Sequence, residues 1–369
     1  MKIIRIAAYQ VMLHTTEGRY AWGRGKFTDA LDSTIVRVDT DEGITGYGEV
    51  CCPVAPGYTP FFAAGVRAGT TEVADSLLGE DPTELTKINA VMDACLTGHD
   101  YAKSGIDIAC WDILGKAANL PVSTLLGGRF GDSFPLYHPV GQDSPERMVE
   151  RVAEYRSQGY KCFQLKVGGE PHTDIDRILS VAAELRSDET LVADANRGWL
   201  MHEAMEVISA LSGTRVFIEQ PCSSYEECLS VRRHCKQTFV LDESIQSLTD
   251  IVRAHNDAAA DVINLKVAKL GGLTKVSKAR DLCVGLGLPV FIDNAKGGDI
   301  IGAVMAHLAH STPSRFLFAT TDFHSYMKER IADGAPIKVN GRLAASRAPG
   351  LGIEPLGEVL KQPILDIRA

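Results

Sequence analysis

The chain has 369 residues, of which 45% are hydrophobic and 23% are charged, and its formal net charge at pH 7 is −9. This composition is typical of a globular protein large enough for two domains, and the negative charge argues against nucleic acid or an anionic membrane as a partner. No apolar run approaches the roughly 18 residues that a membrane-spanning helix needs.

The cysteines and the first residues of the chain help to predict the cellular compartment. The nine cysteines form no Cys-x-x-Cys pair, and most lie in apolar or helical stretches. We therefore predict reduced thiols in a cytoplasmic protein rather than a disulfide framework. Residues 1–5 lead directly into a strand-like pattern instead of the apolar core of a signal peptide.

Residues 1–50 are predicted to form a three-stranded meander. The turn Asp41-Glu42-Gly43 supplies the positive φ that a hairpin needs. The strands are expected at Ile3 to Leu13, Asp32 to Asp39 and Ile44 to Glu49.

Two loops of this region are expected to lie on the same side. The stretch from Gly18 to Phe27 is rich in glycine and aromatic residues, and Cys51 to Tyr58 contains two prolines and a glycine. We interpret them as loops that cover a ligand, with Trp22 and Tyr58 as substrate-binding residues. The alternative interpretation is a plain surface loop.

A helical region then joins two predicted domains. The pattern is helical from about residue 60 to residue 118, and Pro121 ends it because proline disfavours helical geometry in the residue before it. The stretch Leu125-Leu126-Gly127-Gly128 marks the junction. We predict an α+β capping domain at 1–125, a barrel at 126–325 and a C-terminal segment at 326–369 that packs back on the cap.

Eight apolar runs follow, separated by helical patterns, and their starts repeat at intervals of about 25 residues. A strand and a helix at this period indicate parallel βαβ units. The fold class is therefore α/β, a (β/α)8-type, TIM-like barrel capped by the N-terminal domain and completed by the C-terminal tail. The strands are expected near 134–139, 161–167, 190–195, 215–219, 239–242, 262–267, 288–293 and 316–320.

Three consecutive strands each end in an acidic residue, namely Asp194, Glu219 and Asp242. The carboxyl ends of barrel strands meet at one face, where catalytic groups collect. Three carboxylates there would bind one hard cation, and we predict one Mg²⁺ per subunit. Glu243 is predicted to support the ligands and Asn196 to contact substrate. The alternative is three unrelated acids at strand ends.

A lysine ends the strand on either side of this group, Lys166 before it and Lys266 after it. Near a dication and a second lysine, the pKa of each amine is expected to fall, which would make it a base for a carbon acid. Lys269 is expected to point away. The alternative is that Lys166 and Lys266 are solvated strand-end lysines.

Short motifs in order along nearly the whole chain resemble the enolase superfamily, in its mandelate racemase and muconate lactonizing branch. They include Gly46-Tyr47-Gly48-Glu49, Ile106 to Lys116, Leu125 to Gly128, Ala193 to Asn196, Ile218 to Pro221, Leu241 to Ser244 and Lys266 to Gly272. This resemblance implies that the metal holds a substrate carboxylate while one lysine removes the proton α to it. The family often has Lys-x-Lys on the second strand, and Gln164 takes the place of the first lysine here. We expect Gln164 to bind the substrate carboxylate.

Five segments resemble members that act on proline derivatives: Phe163 to Gly169, Asn264 to Lys266, Thr321 to Phe323, Arg19-Tyr20 and Tyr101 to Lys103. This resemblance implies dehydration of cis-3-hydroxy-L-proline to Δ1-pyrroline-2-carboxylate, in which one lysine takes the C2 proton and the opposite lysine protonates the leaving hydroxyl. Lys296, where those members usually have an aromatic residue, and Asp322 are predicted to contact substrate. The alternative is that Lys296 lies on the rim in solvent and does not contact substrate.

Other activities of the same scaffold stay open. They are 2-epimerisation or racemisation of proline, hydroxyproline or its betaine, and the reactions of an acid-sugar dehydratase or a cycloisomerase. A sugar dehydratase needs a histidine near the last strands, where His324 is the one candidate. A barrel that binds without catalysis is a third class. The partner is expected to be a small amino acid or hydroxy acid, and the chain to be a homo-oligomer.

Overall fold

The computed structural model describes residues 1–23, 25–54 and 57–369. The strands in these ranges are β1 Ile3–His14, β2 Tyr20–Trp22, β3 Lys26–Thr28, β4 Ala30–Thr40, β5 Thr45–Pro53, β6 Phe134–Pro135, β7 Tyr137–Val140, β8 Cys162–Lys166, β9 Thr190–Asp194, β10 Val216–Glu219, β11 Phe239–Leu241, β12 Val262–Lys266, β13 Val290–Asp293, β14 Leu317–Thr320, β15 Ala332–Asp333, β16 Arg342–Leu343, β17 Glu354–Pro355 and β18 Leu365–Arg368.

The first four α-helices of the same ranges precede the barrel strands, and the last seven alternate with them. They are α1 Ala63–Ala74, α2 Leu85–Cys95, α3 Asp100–Ala118, α4 Val122–Leu125, α5 Pro145–Ser157, α6 Pro171–Ala183, α7 Met201–Ala210, α8 Tyr225–Arg232, α9 Leu248–Asn256, α10 Leu273–Gly285 and α11 Asp299–His310. Of these helices, none combines the length and the apolar character that crossing a bilayer requires.

The N-terminal sheet is antiparallel and has the order β18-β1-β4-β5. The predicted meander of three strands is confirmed, with each strand one to four residues longer than expected at one or both ends. Its fourth strand comes from the C-terminal end of the chain, where Ile367 pairs with Ile6. Helices α1 and α3 pack against β4 and β5, so the tail and the helices complete one α+β layer.

The loop predicted at residues 18–27 folds in part as a hairpin. Strands β2 and β3 pair antiparallel, with Trp22 opposite Lys26. Arg24 lies outside the described residues, as do Ala55 and Pro56 of the second predicted loop. The hairpin directs Tyr20 and Trp22 toward the mouth of the barrel, where both line a cavity.

The second sheet contains β7 to β14 in sequential order, and every pairing is parallel. A parallel bridge between Leu136 and Thr320 joins its first and last strands. The predicted eight-stranded barrel is thus confirmed. Its first strand starts at Tyr137 rather than near residue 134, because β6 leaves the barrel and pairs with β16 near the C-terminus.

Apolar side chains fill the barrel interior below its mouth. Tyr137, Val192, Val240, Phe291 and Ala319 form one buried cluster there. Successive side chains of a strand alternate between its two faces. The residue two positions before the end of a strand therefore lies on the same face as the last one, which sets the positions of the polar groups at the mouth.

Helices α5 and α6 are each capped by the side chain of the residue directly before the helix. The hydroxyl of Ser144 accepts a hydrogen bond from the backbone N–H of Arg147, and Glu170 caps α6 in the same way. Proline follows each cap at the first helical position, where its missing N–H costs nothing. Short polar residues before a helical run thus mark these starts in the sequence.

Helices α10 and α11 begin differently, because glycine occupies each N-cap position and offers no side chain. The capping carboxylates come from the N-terminal layer. Glu49 of β5 accepts hydrogen bonds from the backbone N–H groups of Gly298 (2.8 Å) and Ile301 (3.0 Å). Asp107 of α3 accepts one from Thr274 (2.9 Å). These contacts hold the cap, with its loops, over the barrel mouth.

Candidate active site

A cavity of about 390 Å³, including its open mouth, lies where the cap meets the carboxyl ends of the barrel strands. Seven of the residues predicted to act in catalysis or substrate binding line it: Trp22, Tyr58, Gln164, Lys166, Asn196, Lys266 and Lys296. The chain therefore brings the two predicted catalytic lysines and most of the predicted substrate contacts to one place.

The three predicted metal ligands lie at the ends of adjacent strands beside this cavity. Asp194 ends β9, Glu219 ends β10 directly opposite it in the pairing, and Asp242 follows β11. All three are buried. The pKa of Glu219 is well above its ordinary range, because burial and the charges of Asp194 and Asp242 all disfavour its ionised form. Three carboxylates in such proximity need a positive charge.

The two lysines supply that charge in this structure. Nζ of Lys166 lies 2.5 Å from Oδ2 of Asp194, and Nζ of Lys266 lies 2.7 Å from Oδ2 of Asp242 and 3.2 Å from Oδ2 of Asp293. Burial lowers the pKa of both amines, but these carboxylates raise it more, so that each pKa ends well above its ordinary value. The expected lowering assumed a dication beside each lysine, and the carboxylates alone act in the opposite direction.

Two amides hold the central carboxylate. Gln164 donates from Nε2 to Oε2 of Glu219, and Asn264 donates from Nδ2 to Oε1, both at 2.8 Å. Gln164 was expected to bind the substrate carboxylate, and its amide nitrogen has Glu219 as a partner instead. Sequence reasoning missed Asn264. The available signal is its spacing, because Asn264 precedes Lys266 by two residues, as Gln164 precedes Lys166.

Asn196 and Glu243 lie beside the carboxylates. The backbone N–H of Asn196 donates to Oδ1 of Asp194 (2.9 Å), and its Nδ2 donates to Oε1 of Glu243 (3.2 Å). Oδ1 of Asn196 and Oε2 of Glu243 are buried, and neither has a hydrogen-bond partner among the described residues. Glu243 thus contacts a neighbour of the carboxylates, and its supporting role stays a prediction.

The carboxylates of this cluster are chemically suited to Mg²⁺, although they face other partners in this structure. Within the described ranges, no three side chains of His, Cys, Asp and Glu are placed to hold a metal ion, because the carboxylates are turned toward lysine and amide partners. Their chemistry nevertheless fits, since Mg²⁺ takes hard oxygen ligands and is often held by a few carboxylates. Asp194, Glu219 and Asp242 are buried carboxylates, and two of them already contact the ammonium groups of Lys166 and Lys266.

Lys269 lies at this cluster, and the expectation that it points away is wrong. Its Nζ donates to the backbone carbonyl of Asp242 (2.6 Å) and lies 3.0 Å from Oδ1 of the same residue. Burial lowers its pKa. The chain turns directly after β12, with the N–H of Leu270 bonded to the carbonyl of Lys266. This turn brings residue 269 back to the side of the carboxylates.

The cap contributes Tyr58 and Trp22 to the site. Nζ of Lys266 lies 3.0 Å from the hydroxyl of Tyr58, and the two aromatic rings meet edge to face with centroids 5.8 Å apart. Arg197 of the barrel donates from Nη2 to the backbone carbonyl of Tyr58 (2.7 Å). The cap loop is thus hydrogen-bonded to the barrel at Tyr58, the residue that contacts the predicted catalytic lysine Lys266.

Lys296 is a third lysine of the cavity and does not lie on the solvated rim. Its Nζ lies 3.9 Å from the ring centroid of Tyr20 and 4.8 Å from that of Phe323. Burial and the nearby charge of Lys166 lower its pKa to about 7. Lys296 therefore differs from the two carboxylate-paired lysines in both its contacts and the direction of its pKa shift.

Asp322, predicted to contact substrate, is not among the residues that line the cavity. Its buried carboxylate accepts hydrogen bonds from the hydroxyls of Tyr160 (3.1 Å), Ser325 (2.5 Å) and Tyr326 (3.2 Å). After β14 the chain enters a 3₁₀ turn, Phe323–Tyr326, in which Phe323 lines the cavity. The structure gives Asp322 the role of holding this turn.

His324, the candidate histidine for a sugar dehydratase, also lies outside the cavity lining. Its Nε2 is 2.7 Å from the carbonyl oxygen of Pro336, and its ring lies so close to Gly302 that a Cβ added there would come within 2.2 Å of Nδ1. The histidine therefore fills space between a helix and a loop rather than facing a substrate.

Several lining residues were missed by sequence reasoning. Tyr137 and Pro139 alternate along β7, and the period of two puts both on the inner face. Asp293 ends β13 as the metal-ligand candidates end their strands, and that position was the available signal. The others are Tyr20, Pro53, Asn294, Ala295 and Phe323.

Two family models match the chain. Residues 28–127 match the mandelate racemase / muconate lactonizing enzyme N-terminal domain. Residues 147–359 match the enolase C-terminal domain-like family. Together the two matches cover the capping region and the barrel with its carboxylates and lysines.

Among curated proteins, the chain is 50% identical to cis-3-hydroxy-L-proline dehydratase of Roseibium aggregatum, over 99% of each chain. It is 28% identical to N-succinyl-L-Arg/Lys racemase of Bacillus cereus, over 98% of each chain. A hydrophobic dipeptide epimerase of Enterococcus faecalis is 29% identical over 88% of this chain and 92% of that protein.

Among solved structures, a mandelate racemase/muconate lactonizing enzyme from Roseovarius nubinhibens superimposes with a TM-score of 0.96 at 38% identity, over 100% of this chain and 99% of that one. A member of the enolase superfamily from the same organism, complexed with magnesium, superimposes with a TM-score of 0.94 at 35% identity over the full length of both chains.

Proposed function

The chain belongs to the mandelate racemase and muconate lactonizing enzyme branch of the enolase superfamily, and from this membership we propose that it dehydrates cis-3-hydroxy-L-proline to Δ1-pyrroline-2-carboxylate. One observation carries the proposal. Lys166 and Lys266 reach the same cavity from strands on either side of a carboxylate cluster. The relative at 50% identity, a dehydratase of this substrate, supports the choice of reaction.

Asp194, Glu219 and Asp242 are the proposed ligands of one Mg²⁺ per chain. When bound there, the ion would hold the substrate carboxylate and stabilise the negative charge that develops as the C2 proton leaves. Asn196 and Glu243 orient this ligand set through the hydrogen bonds that they make beside it. Gln164 and Asn264 hold Glu219 from the side of the barrel.

The lysines perform the proton transfers of the proposed reaction. In cis-3-hydroxy-L-proline the hydroxyl lies on the same ring face as the carboxylate, and the C2 hydrogen lies on the opposite face. One lysine takes the C2 proton, the electrons of that bond form the C2–C3 double bond, and the hydroxyl leaves from C3 as water after it receives a proton. The sequence assigned this proton to the opposite lysine, and the structure offers three lysines in the cavity that could donate it. The enamine product then tautomerises to the pyrroline.

The cavity walls suit a small ring. Trp22 and Tyr58 of the cap, with Tyr137, Pro139 and Phe323 of the barrel, provide apolar surface around the lysines. Such walls exclude water from a reaction whose intermediate is readily protonated. Because Lys296 has a positive charge in its protonated form and stands among these walls, the site disfavours a quaternary betaine.

Epimerisation at C2 is the second candidate, because the same pair of lysines would return a proton to the opposite face whenever reprotonation is faster than loss of the hydroxyl. The similarity to a racemase and an epimerase supports it. The two outcomes share one site and differ in the fate of the hydroxyl. The homo-oligomeric state stays a prediction of the sequence.

Proton NMR in D₂O with Mg²⁺ and a panel of hydroxyproline isomers and betaines tests the proposal. Loss of cis-3-hydroxy-L-proline with new pyrroline signals is the expected result. Exchange of the C2 proton with retention of the hydroxyl would establish an epimerase instead. If no member of the panel changes, the proposed substrate class is wrong, and acyl amino acids and acid sugars are the next substrates to measure.

A further inference from the structure

We propose that Lys296 donates the proton to the departing hydroxyl, which makes it a third catalytic lysine of the site. This inference rests on the proposed dehydration and assigns a step of it. In the proposed step the N–H bond of the Lys296 ammonium breaks, its proton goes to the hydroxyl oxygen, and the C3–O electron pair leaves with water. The neutral amine then takes a proton from solvent before the next turnover.

The contacts of the three lysines distinguish Lys296 from the other two. Lys166 is paired with Asp194, and Lys266 contacts Asp242, Asp293 and Tyr58. In the part of the chain that the structure describes, Nζ of Lys296 makes no hydrogen bond and no ion pair, and it rests on two aromatic ring faces. Of these three lysines, Lys296 is therefore the one whose ammonium group is not paired with a carboxylate.

The place of Lys296 at the barrel mouth also suits this step. The carboxylates stand at the ends of β9, β10 and the segment after β11, and the paired lysines end β8 and β12. A substrate carboxylate held at that cluster places C2 beside the paired lysines and directs the rest of the ring toward the far side of the mouth. Lys296 lies there, after β13, between Tyr20 and Phe323. In the proposed step it would face the part of the ring to which C3 belongs.

The acid–base properties of Lys296 agree with this role. Its pKa is lowered to about 7 by burial and by the charge of Lys166, so both protonation states are accessible near neutral pH, which is the best condition for a general acid. The ring faces of Tyr20 and Phe323 stabilise the cation before transfer. The neutral amine that remains afterwards is easily accommodated in an apolar pocket.

Lys296→Met tests the proposal in D₂O with Mg²⁺ and cis-3-hydroxy-L-proline. We expect dehydration to fall by about 100-fold or more, the typical contribution of a general acid, while the C2 proton exchanges with solvent at a rate comparable to wild-type turnover. Lys296→Arg, which keeps the charge but not an acid of suitable strength, is expected to lose dehydration similarly. Lys328→Met removes an exposed lysine and is the matched control, with unchanged turnover expected.

A change of leaving group separates proton donation from a structural role. Chloride needs no proton to leave, so cis-3-chloro-L-proline should be converted to the pyrroline by Lys296→Met at close to the wild-type rate. A residue that only shapes the pocket would slow both substrates equally. Rescue by the chloro substrate, together with retained C2 exchange, would support Lys296 as the acid.

Two results would overturn the assignment. One is wild-type dehydration by Lys296→Met, and the other is equal loss of dehydration, C2 exchange and chloride elimination in that variant. Either leaves the proposed dehydratase in place if the wild-type protein makes pyrroline. A wild-type protein that neither exchanges the C2 proton nor loses the hydroxyl would instead refute the proposed function, and the role of Lys296 with it.

Discussion

Gln164 and Asn264 converge from β8 and β12 on the same buried carboxylate, and each donates a hydrogen bond of 2.8 Å to a different oxygen of Glu219. The two amides hold the central carboxylate from both sides. Hydrogen bonds to the ionised form of an acid favour that form, and here they oppose the burial that raises the pKa of Glu219. The pair thus favours the anionic form of the central carboxylate against burial and the charges of its two neighbours.

Replacing either amide by leucine is expected to weaken Mg²⁺ binding by about 10-fold, the scale on which partners of metal ligands act. Isothermal titration calorimetry of Gln164→Leu and Asn264→Leu would measure this change. Gln158→Leu, at an exposed position, is the matched control. If Gln164→Leu raises the KM for substrate and leaves Mg²⁺ affinity unchanged, the amide binds the substrate, as the sequence suggested.

Lys166→Ala is expected to abolish turnover and to bind Mg²⁺ at least as tightly as the wild-type protein. The reason is the contact between Lys166 and Asp194, in which the ammonium competes with a cation for the carboxylate. Activity assays and calorimetry would check the two parts of this prediction, and circular dichroism would check that the fold is retained. Lys161→Ala removes an exposed lysine beside the same strand and should be neutral. Full activity of Lys166→Ala would refute the assignment of this lysine as a base.

Asp194→Asn is expected to lose metal binding and activity together, because a neutral amide replaces one of three anionic ligands. Dialysis against chelator followed by titration with Mg²⁺ would show both losses in one experiment. The fold should persist, since the amide can still accept the hydrogen bond from the N–H of Asn196. A normal Mg²⁺ dependence in this variant would contradict the proposed ligand set.

Glu49→Ala is expected to lower the free energy of unfolding by about 2 kcal/mol, at the upper end of the range for losing a helix cap. The variant removes the acceptor of the N–H groups of Gly298 and Ile301 at the start of α11. Urea denaturation followed by circular dichroism would measure the change. Glu49→Gln retains an acceptor and should lose less. Glu72→Ala, at an exposed position, should have no effect.

His307 predicts an acid-dependent loss of stability. Burial lowers its pKa from 6.5 to about 4, so between these values the unfolded chain binds more protons than the folded one. The contribution of His307 to the free energy of unfolding is therefore fully present above pH 6.5. It falls as the pH decreases toward 4, by at most about 1.4 kcal/mol per pH unit. Urea midpoints measured from pH 7 to pH 5 should fall less in His307→Gln than in the wild-type protein.

The parts of the molecule that follow a simple period were predictable from sequence. A parallel barrel repeats one strand and one helix, and an acid or a lysine after an apolar run marks the mouth. Asp194, Glu219, Asp242, Lys166 and Lys266 were found in this way and do lie together. The family resemblance is confirmed by the matches to both domains. The catalytic and metal-binding roles of these five residues stay a proposal.

The residues that were misplaced all lie where the chain leaves a strand. Lys269 returns to the carboxylates through a turn, and Asp322 is directed into a cluster of hydroxyls by a 3₁₀ turn. Neither turn has a period that a sequence pattern reveals. The pKa direction of Lys166 was misjudged for another reason, because it depends on the balance between burial and the distance to Asp194, and no such distance can be derived from spacing alone.

The capping of α10 and α11 by Asp107 and Glu49 restricts how the two halves of this molecule can be recombined. A chimaera that joins this barrel to a foreign cap would bring new loops over the mouth but would also replace both carboxylates. Unless acidic residues stand at the equivalent positions, two barrel helices would begin with unpaired N–H groups, in the segments that follow Lys266 and Lys296. Exchanging the whole cap would therefore change the substrate preference and destabilise the barrel at the same time. Grafting the loops alone is the better route to a new specificity.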